Sequence, residues 1–167
     1  RQQRGHPGLL AQRKPPRSPR DGALVAVADP EFKVEAEAVA ALYPGRATIL
    51  GGATLATKTD VVSRLADYDV VHLSVHGEFN GRQPLLSHLK LGPSDRDNGR
   101  LTAAEMFGLP LDRASLVVLS ACQTGIGSVG NGDELIGMSR ALLFAGAGSF
   151  VHSRWKVDAA STALWMQ

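Results

Sequence analysis

Val70-Val71-His72-Leu73-Ser74-Val75-His76-Gly77 is an apolar run of strand length that stops at a histidine followed by glycine. About forty-five residues later a second such run, Leu116-Val117-Val118-Leu119-Ser120-Ala121-Cys122-Gln123-Thr124-Gly125, stops at the only cysteine. Near-continuous apolar strands of this kind belong to parallel sheets buried on both faces. In such sheets the carboxyl ends of the strands open onto the crevice where α/β proteins build their sites. Both runs place a reactive side chain at that end, so His76 and Cys122 are expected to face one crevice. A thiol paired with an imidazole is the arrangement a cysteine hydrolase needs.

Working outward, Ala23–Ala28 reads as a buried strand bounded by Asp29-Pro30, and Val34–Tyr43 as a helix ended by Pro44-Gly45. Ala47–Leu50 is a short strand. Thr59 is expected to cap a helix from Asp60 to about Ala66, ahead of the histidine strand Asp69–Val75. Residues 77–84 read as a loop, Pro84–Gly92 as a short strand pair, and Thr102 with Glu105 as a capping box for a helix through Phe107. After the cysteine strand, from about Ser115 to Ala121, come a glycine-rich loop, an amphipathic helix Asp133–Phe144 and a last strand Ser149–Ser153. Asp158 is expected to cap a further helix. The alternation predicts an α/β domain with a mostly parallel sheet covered on both faces.

The 167 residues are one domain's worth, and no stretch reaches the roughly 18 apolar residues of a membrane span. No secretion signal is expected. A single cysteine forms no internal disulfide and offers no zinc knuckle, which suits a reducing cytoplasm. Residues 1–20 hold six of the eighteen basic residues and no acid, while the remainder carries twelve basic against sixteen acidic residues. The chain therefore divides into a basic, proline-containing arm or linker (1–20) and a mildly acidic domain (21–167). The arm could touch nucleic acid, but the folded part is acidic and poor in aromatics for base stacking, so nucleic acid is not the expected partner.

His72 and His76 stand four apart, which on a strand separates them by about 13 Å at ~3.3 Å per residue, too far for one metal ion. His72, His88 and His152 read as packed strand residues. Gly125-Ile126-Gly127-Ser128-Val129-Gly130 fits the G-x-G-x-x-G pattern of dinucleotide binding. That fingerprint normally opens the first βαβ unit, whereas here it follows several strands, and a substrate-binding loop explains the glycines equally well.

The His76-Gly77 pair, the block Ser120–Gly125, Gly132-Asp133-Glu134-Leu135-Ile136-Gly137 and Ser153-Arg154-Trp155-Lys156-Val157-Asp158 together resemble a CHAT domain. This is a bacterial branch of the caspase-like (clan CD) cysteine peptidases, related to separase. Gly99–Ala103 and Ala145-Gly146-Ala147 fall in the order such domains show. The resemblance implies a caspase-like three-layer sandwich, here truncated at both ends, and a cysteine endopeptidase working without metal or organic cofactor. It implies that Cys122 attacks the peptide carbonyl, that His76 is the acid–base, and that the N–H groups of Gly77 and Cys122 form the oxyanion hole. Asp158, after a Trp-x-Val segment, would receive a basic substrate side chain, or act as a helix N-cap. The implied partners are a protein or peptide substrate and a regulatory helical-repeat or sensor region. Two residues depart from the family pattern: Gln123 stands where glutamate is usual, and Arg154 where leucine is common. The alternatives are a non-catalytic signalling or interaction domain of the same fold, and a nucleotide-binding module.

Overall fold

The strands expected from the apolar runs lie side by side in one sheet. The computed structural model describes residues 18–120 and 133–152. Among them are the strands β1 (Leu24–Ala28), β2 (Ala47–Gly51), β3 (Val70–Ser74), β4 (Gly77–Glu78), β5 (His88–Lys90), β6 (Arg100–Thr102), β7 (Leu116–Leu119) and β8 (Phe150–His152). The helices are α1 (Lys33–Ala41), α2 (Lys58–Arg64), α3 (Ala103–Met106) and α4 (Asp133–Phe144). Five strands form a parallel sheet in the order β2-β1-β3-β7-β8. This is an α/β fold consistent with a caspase-like sandwich.

Alternation along the strands splits the core into two layers, as the period-2 geometry of a strand requires. Val25, Val27, Val71, Leu73, Val117 and Leu119 meet Val61 and Leu65 around α2, Ala103 and Met106 of α3, and Met138, Ala141 and Leu142 of α4. Leu24, Ala26, Ala28 and Val70 point the other way and meet Ala36 and Val39 of α1. β1 and β3 are buried along their whole length, which explains their unbroken apolar reading.

The chain order places β2 on one side of β1 and β3 on the other. The connection therefore reverses direction at the β1/β3 boundary, the place where open α/β sheets leave a crevice at their carboxyl ends. At the β2 end of this rim the chain turns through Gly51, with φ +88°. A Cβ on Gly51 would lie 2.3 Å from the Ala28 carbonyl oxygen, so only glycine fits there.

Three local expectations are corrected. Thr57, not Thr59, caps α2, accepting from the Asp60 N–H at 3.1 Å; the Thr59 hydroxyl instead donates to Asp97 at 2.8 Å. The loop expected at 77–84 begins as the strand β4. The strand pair expected within Pro84–Gly92 is a short 3-10 turn at Pro84–Leu86 followed by β5, which lies between β4 and β6 in a small antiparallel sheet. That pairing is long-range, so spacing alone could not show it. The Thr102–Glu105 capping box is present as read.

Candidate functional site

His76 follows β3 and begins the link to β4, at the carboxyl end of the parallel sheet and beside the β1/β3 switch point. Its backbone is fixed from two directions: its N–H donates to Asp29 Oδ2 at 2.9 Å, and its carbonyl accepts the Lys90 N–H at 2.8 Å. Asp29 is the residue after β1, and its own N–H donates to the Ser74 carbonyl at 3.0 Å. The ends of β1 and β3 are thus laced together just below the imidazole.

Pro30 starts a 3-10 turn, Pro30–Phe32, directly after Asp29. Proline suits this position because its fixed φ matches the turn and its missing N–H would have had no partner. The turn delivers two contacts to the histidine ring. Phe32, itself buried, packs its ring against that of His76, tilted by 59° with centroids 5.2 Å apart. The Glu31 carboxylate is paired with His76 Nε2, and Asp29 Oδ2 lies 4.0 Å from the same nitrogen. His76 Nδ1 has no hydrogen-bond partner among the described residues. The His76 side chain keeps 31% of its exposure, so it is reachable from solvent. Burial pushes the Asp29 carboxyl above its ordinary range, although the hydrogen bond from the His76 N–H opposes this.

Below this rim, on the face covered by α1, lies a second acid–imidazole pair. His72 Nε2–H donates to Glu35 Oε1 at 2.8 Å and the Ser74 hydroxyl donates to the same oxygen at 2.9 Å. The His72 and Glu35 side chains are 2% and 3% exposed. Burial pushes the Glu35 carboxyl up, but hydrogen bonds from His72, Ser120 and Ser74 outweigh it and hold the group below its ordinary range. Sequence reading took His72 for plain packing and missed Glu35 and Asp29 altogether. The available signals were the polar residues at every second place along Val70–His76, which repeat on one face, and an acid immediately after the first strand.

Gly77 opens β4 and is buried, paired opposite Leu89. A Cβ there would lie 3.1 Å from the Phe79 ring, so the lack of a side chain also lets that ring close over the strand. His88, read as packing, is buried, with Nε2 3.6 Å from Glu78; His152 stacks on Phe150 at 5.2 Å. Cys122, Asp158 and the segment Gly125–Gly130 lie outside the described residues. Among the described residues no group of three or more His, Cys, Asp or Glu side chains could hold a metal ion. No described helix is long and apolar enough to cross a membrane.

With strand order, switch point and histidine in place, comparison with known families is decisive. A model of the CHAT domain matches residues 1–167. The chain belongs to the CHAT domain family. That family is caspase-like and protease-related, in keeping with the parallel sheet and with a histidine at its carboxyl edge. No curated protein matches this CHAT domain.

Proposed function

We propose that this CHAT domain is a cysteine endopeptidase with a Cys122–His76 dyad. One observation carries the reading. In the β3–β7 pairing, residues 46 positions apart stand side by side: Val70 beside Leu116, His72 beside Val118, Leu73 beside Leu119. His76 and Cys122 are likewise 46 positions apart in the sequence, two residues after the end of β3 and three after the end of β7. Ser120 still holds the register, its N–H donating to the Leu73 carbonyl at 2.9 Å. Two neighbouring strands thus lead to one edge of the sheet, one toward an imidazole and the other toward the only thiol.

In the proposed reaction the Cys122 sulfur attacks the substrate carbonyl carbon, and its proton passes to His76. The C–N bond breaks as His76 donates that proton to the leaving amine, leaving a thioester. Water, deprotonated by the same imidazole, then hydrolyses the thioester and restores the thiol. The Gly77 and Cys122 N–H groups would hold the oxyanion, a contribution of roughly 3–4 kcal/mol where such donors act together. Asp158 would pair with arginine or lysine at the cleavage position. A helical-repeat or sensor region would gate access. The reading is tested by incubating the chain with a diverse peptide library and locating cuts by mass spectrometry. Cleavage by the parent, absent in Cys122→Ala and His76→Ala, is expected, with cuts after arginine or lysine if Asp158 reads the substrate. Cuts shared by all three forms would overturn the mechanism, and absence of cleavage in any condition would favour an interaction domain.

A further inference from the structure

We propose that Asp29 is the positioning residue of His76: its carboxylate stands in for its own backbone carbonyl in the β1–β3 ladder and carries the main sheet one rung further, to the histidine. The inference rests on the dyad reading for its consequence in catalysis, while the rung itself is tested without reference to the thiol.

In a parallel pair, a residue donates its N–H to one residue of the neighbouring strand and accepts at its carbonyl from the residue two places further along. Asp29 donates to the Ser74 carbonyl at 3.0 Å, so the next regular rung would run from the His76 N–H to the Asp29 carbonyl. That carbonyl is taken by the Phe32 N–H at 2.9 Å, because the chain turns at Pro30. The His76 N–H meets the Asp29 carboxylate in its place, with Oδ2 2.9 Å away. One residue thus ends β1 with its main chain and extends the sheet with its side chain.

The side chain is committed to this use. An aspartate before a helical turn ordinarily accepts from the N–H groups of that turn. Asp29 makes no such cap bond, although it stands at the N-cap of Pro30–Phe32 in an extended conformation, φ −67° and ψ 156°. Its side chain is 4% exposed, and burial raises its carboxyl above the ordinary range, so its ionised form weakens the fold rather than supporting it. His76 is where the five-stranded sheet passes the chain to the small antiparallel one. Its N–H is held from the end of β1 and its carbonyl by the Lys90 N–H of β5, at 2.8 Å. Any residue but proline at position 90 supplies that second anchor. The first depends on the side chain at position 29. Asparagine carries a carbonyl oxygen at the same reach, and alanine carries none.

NMR on the full ¹³C,¹⁵N-labelled chain tests the rung, and peptide cleavage tests its consequence. In the parent, with no substitution needed, we expect a through-hydrogen-bond coupling between the His76 amide nitrogen and the Asp29 carboxyl carbon. A coupling to the Asp29 backbone carbonyl carbon instead, or to neither, would overturn the inference. Asp29→Ala is expected to speed exchange of the His76 amide with solvent roughly ten- to hundredfold relative to the His72 amide inside β3, the range for losing a hydrogen bond to a charged group. Asp29→Asn should hold that ratio within about threefold of the parent. On a peptide that the parent cleaves, Asp29→Ala is expected to lower kcat about tenfold with KM nearly unchanged, and Asp29→Asn to restore most of it. Parental exchange ratio and kcat in Asp29→Ala would overturn the inference and leave the dyad standing. Equal losses of kcat in the alanine and asparagine variants would show that the charge acts and not the rung, and would overturn it too. If His76→Ala cleaves as well as the parent, the dyad reading falls, while the coupling and the exchange ratio still decide whether Asp29 places His76.

Discussion

The two faces of the central sheet are built from alternate residues of the same strands, yet they are opposite in character. Toward α2, α3 and α4 the central strands β1, β3 and β7 present Val25, Val27, Val71, Leu73, Val117 and Leu119; toward α1 they present Leu24, Ala26, Ala28 and Val70 together with His72 and Ser74, which meet the buried Glu35 of α1. The first face stabilises the fold by excluding water. The second spends stability on a hydrogen-bonded cluster that lies directly below His76. The difference teaches that fold and chemistry are separated here by one residue of register, because a single slip along β3 would exchange the two faces.

The sharpest way to break the comparison is to remove Glu35. Glu35→Ala leaves His72 and Ser74 buried without their acceptor, and is expected to cost about 3–5 kcal/mol in urea unfolding at neutral pH. Converting the polar face to the character of the other, with Glu35→Leu and His72→Leu together, should cost much less than Glu35→Ala alone. Acid probes the same group. Its carboxyl titrates lower in the folded chain than its ordinary value of 4.5, so its contribution is present above that value. The contribution is lost as pH falls through the depressed folded value. Stability should therefore drop on acidification below about 4.5 in the parent and drop less in Glu35→Gln.

On the apolar face, Leu119→Ala is expected to cost about 3 kcal/mol, within the 2–5 typical of buried leucine, without altering that pH dependence. Thr102→Ala, which removes the cap of α3 beneath the same face, should cost about 1 kcal/mol. The smallest effect has the opposite sign. The Asp29 carboxyl titrates above its ordinary value of 3.8, so its ionisation lowers stability as pH rises through the folded value. Asp29→Asn, which can still accept the His76 N–H, is expected to stabilise the fold at neutral pH by up to about 1 kcal/mol, read as a higher midpoint.

Much of the fold was legible because β1, β3 and β7 are buried on both faces, and burial writes itself as an unbroken apolar run. His76 was legible for a related reason, since a histidine and a glycine end such a run. Glu35 was not, because a glutamate in an alanine-rich helix looks like any solvated residue until the partner 37 positions away is seen across the layer. Asp29 and Glu31 were hidden in what reads as a strand-ending turn, Asp29-Pro30. The turn residues that close a strand and those that hold the imidazole are the same ones. β4 escaped, and β5 was anticipated only as half of a local strand pair, because two- and three-residue strands have too few positions to show a period or a partner.

The most direct measurement of the central claim is covalent trapping of the thiol, followed by intact-protein mass spectrometry. A peptidyl acyloxymethyl ketone ending in arginine alkylates a cysteine when its carbonyl is bound beside an activated sulfur, releasing the carboxylate. We expect one adduct on the parent chain, at Cys122, at least tenfold slower in His76→Ala and absent in Cys122→Ala. An adduct that forms on Cys122 at the same rate with and without the His76 imidazole would contradict the account.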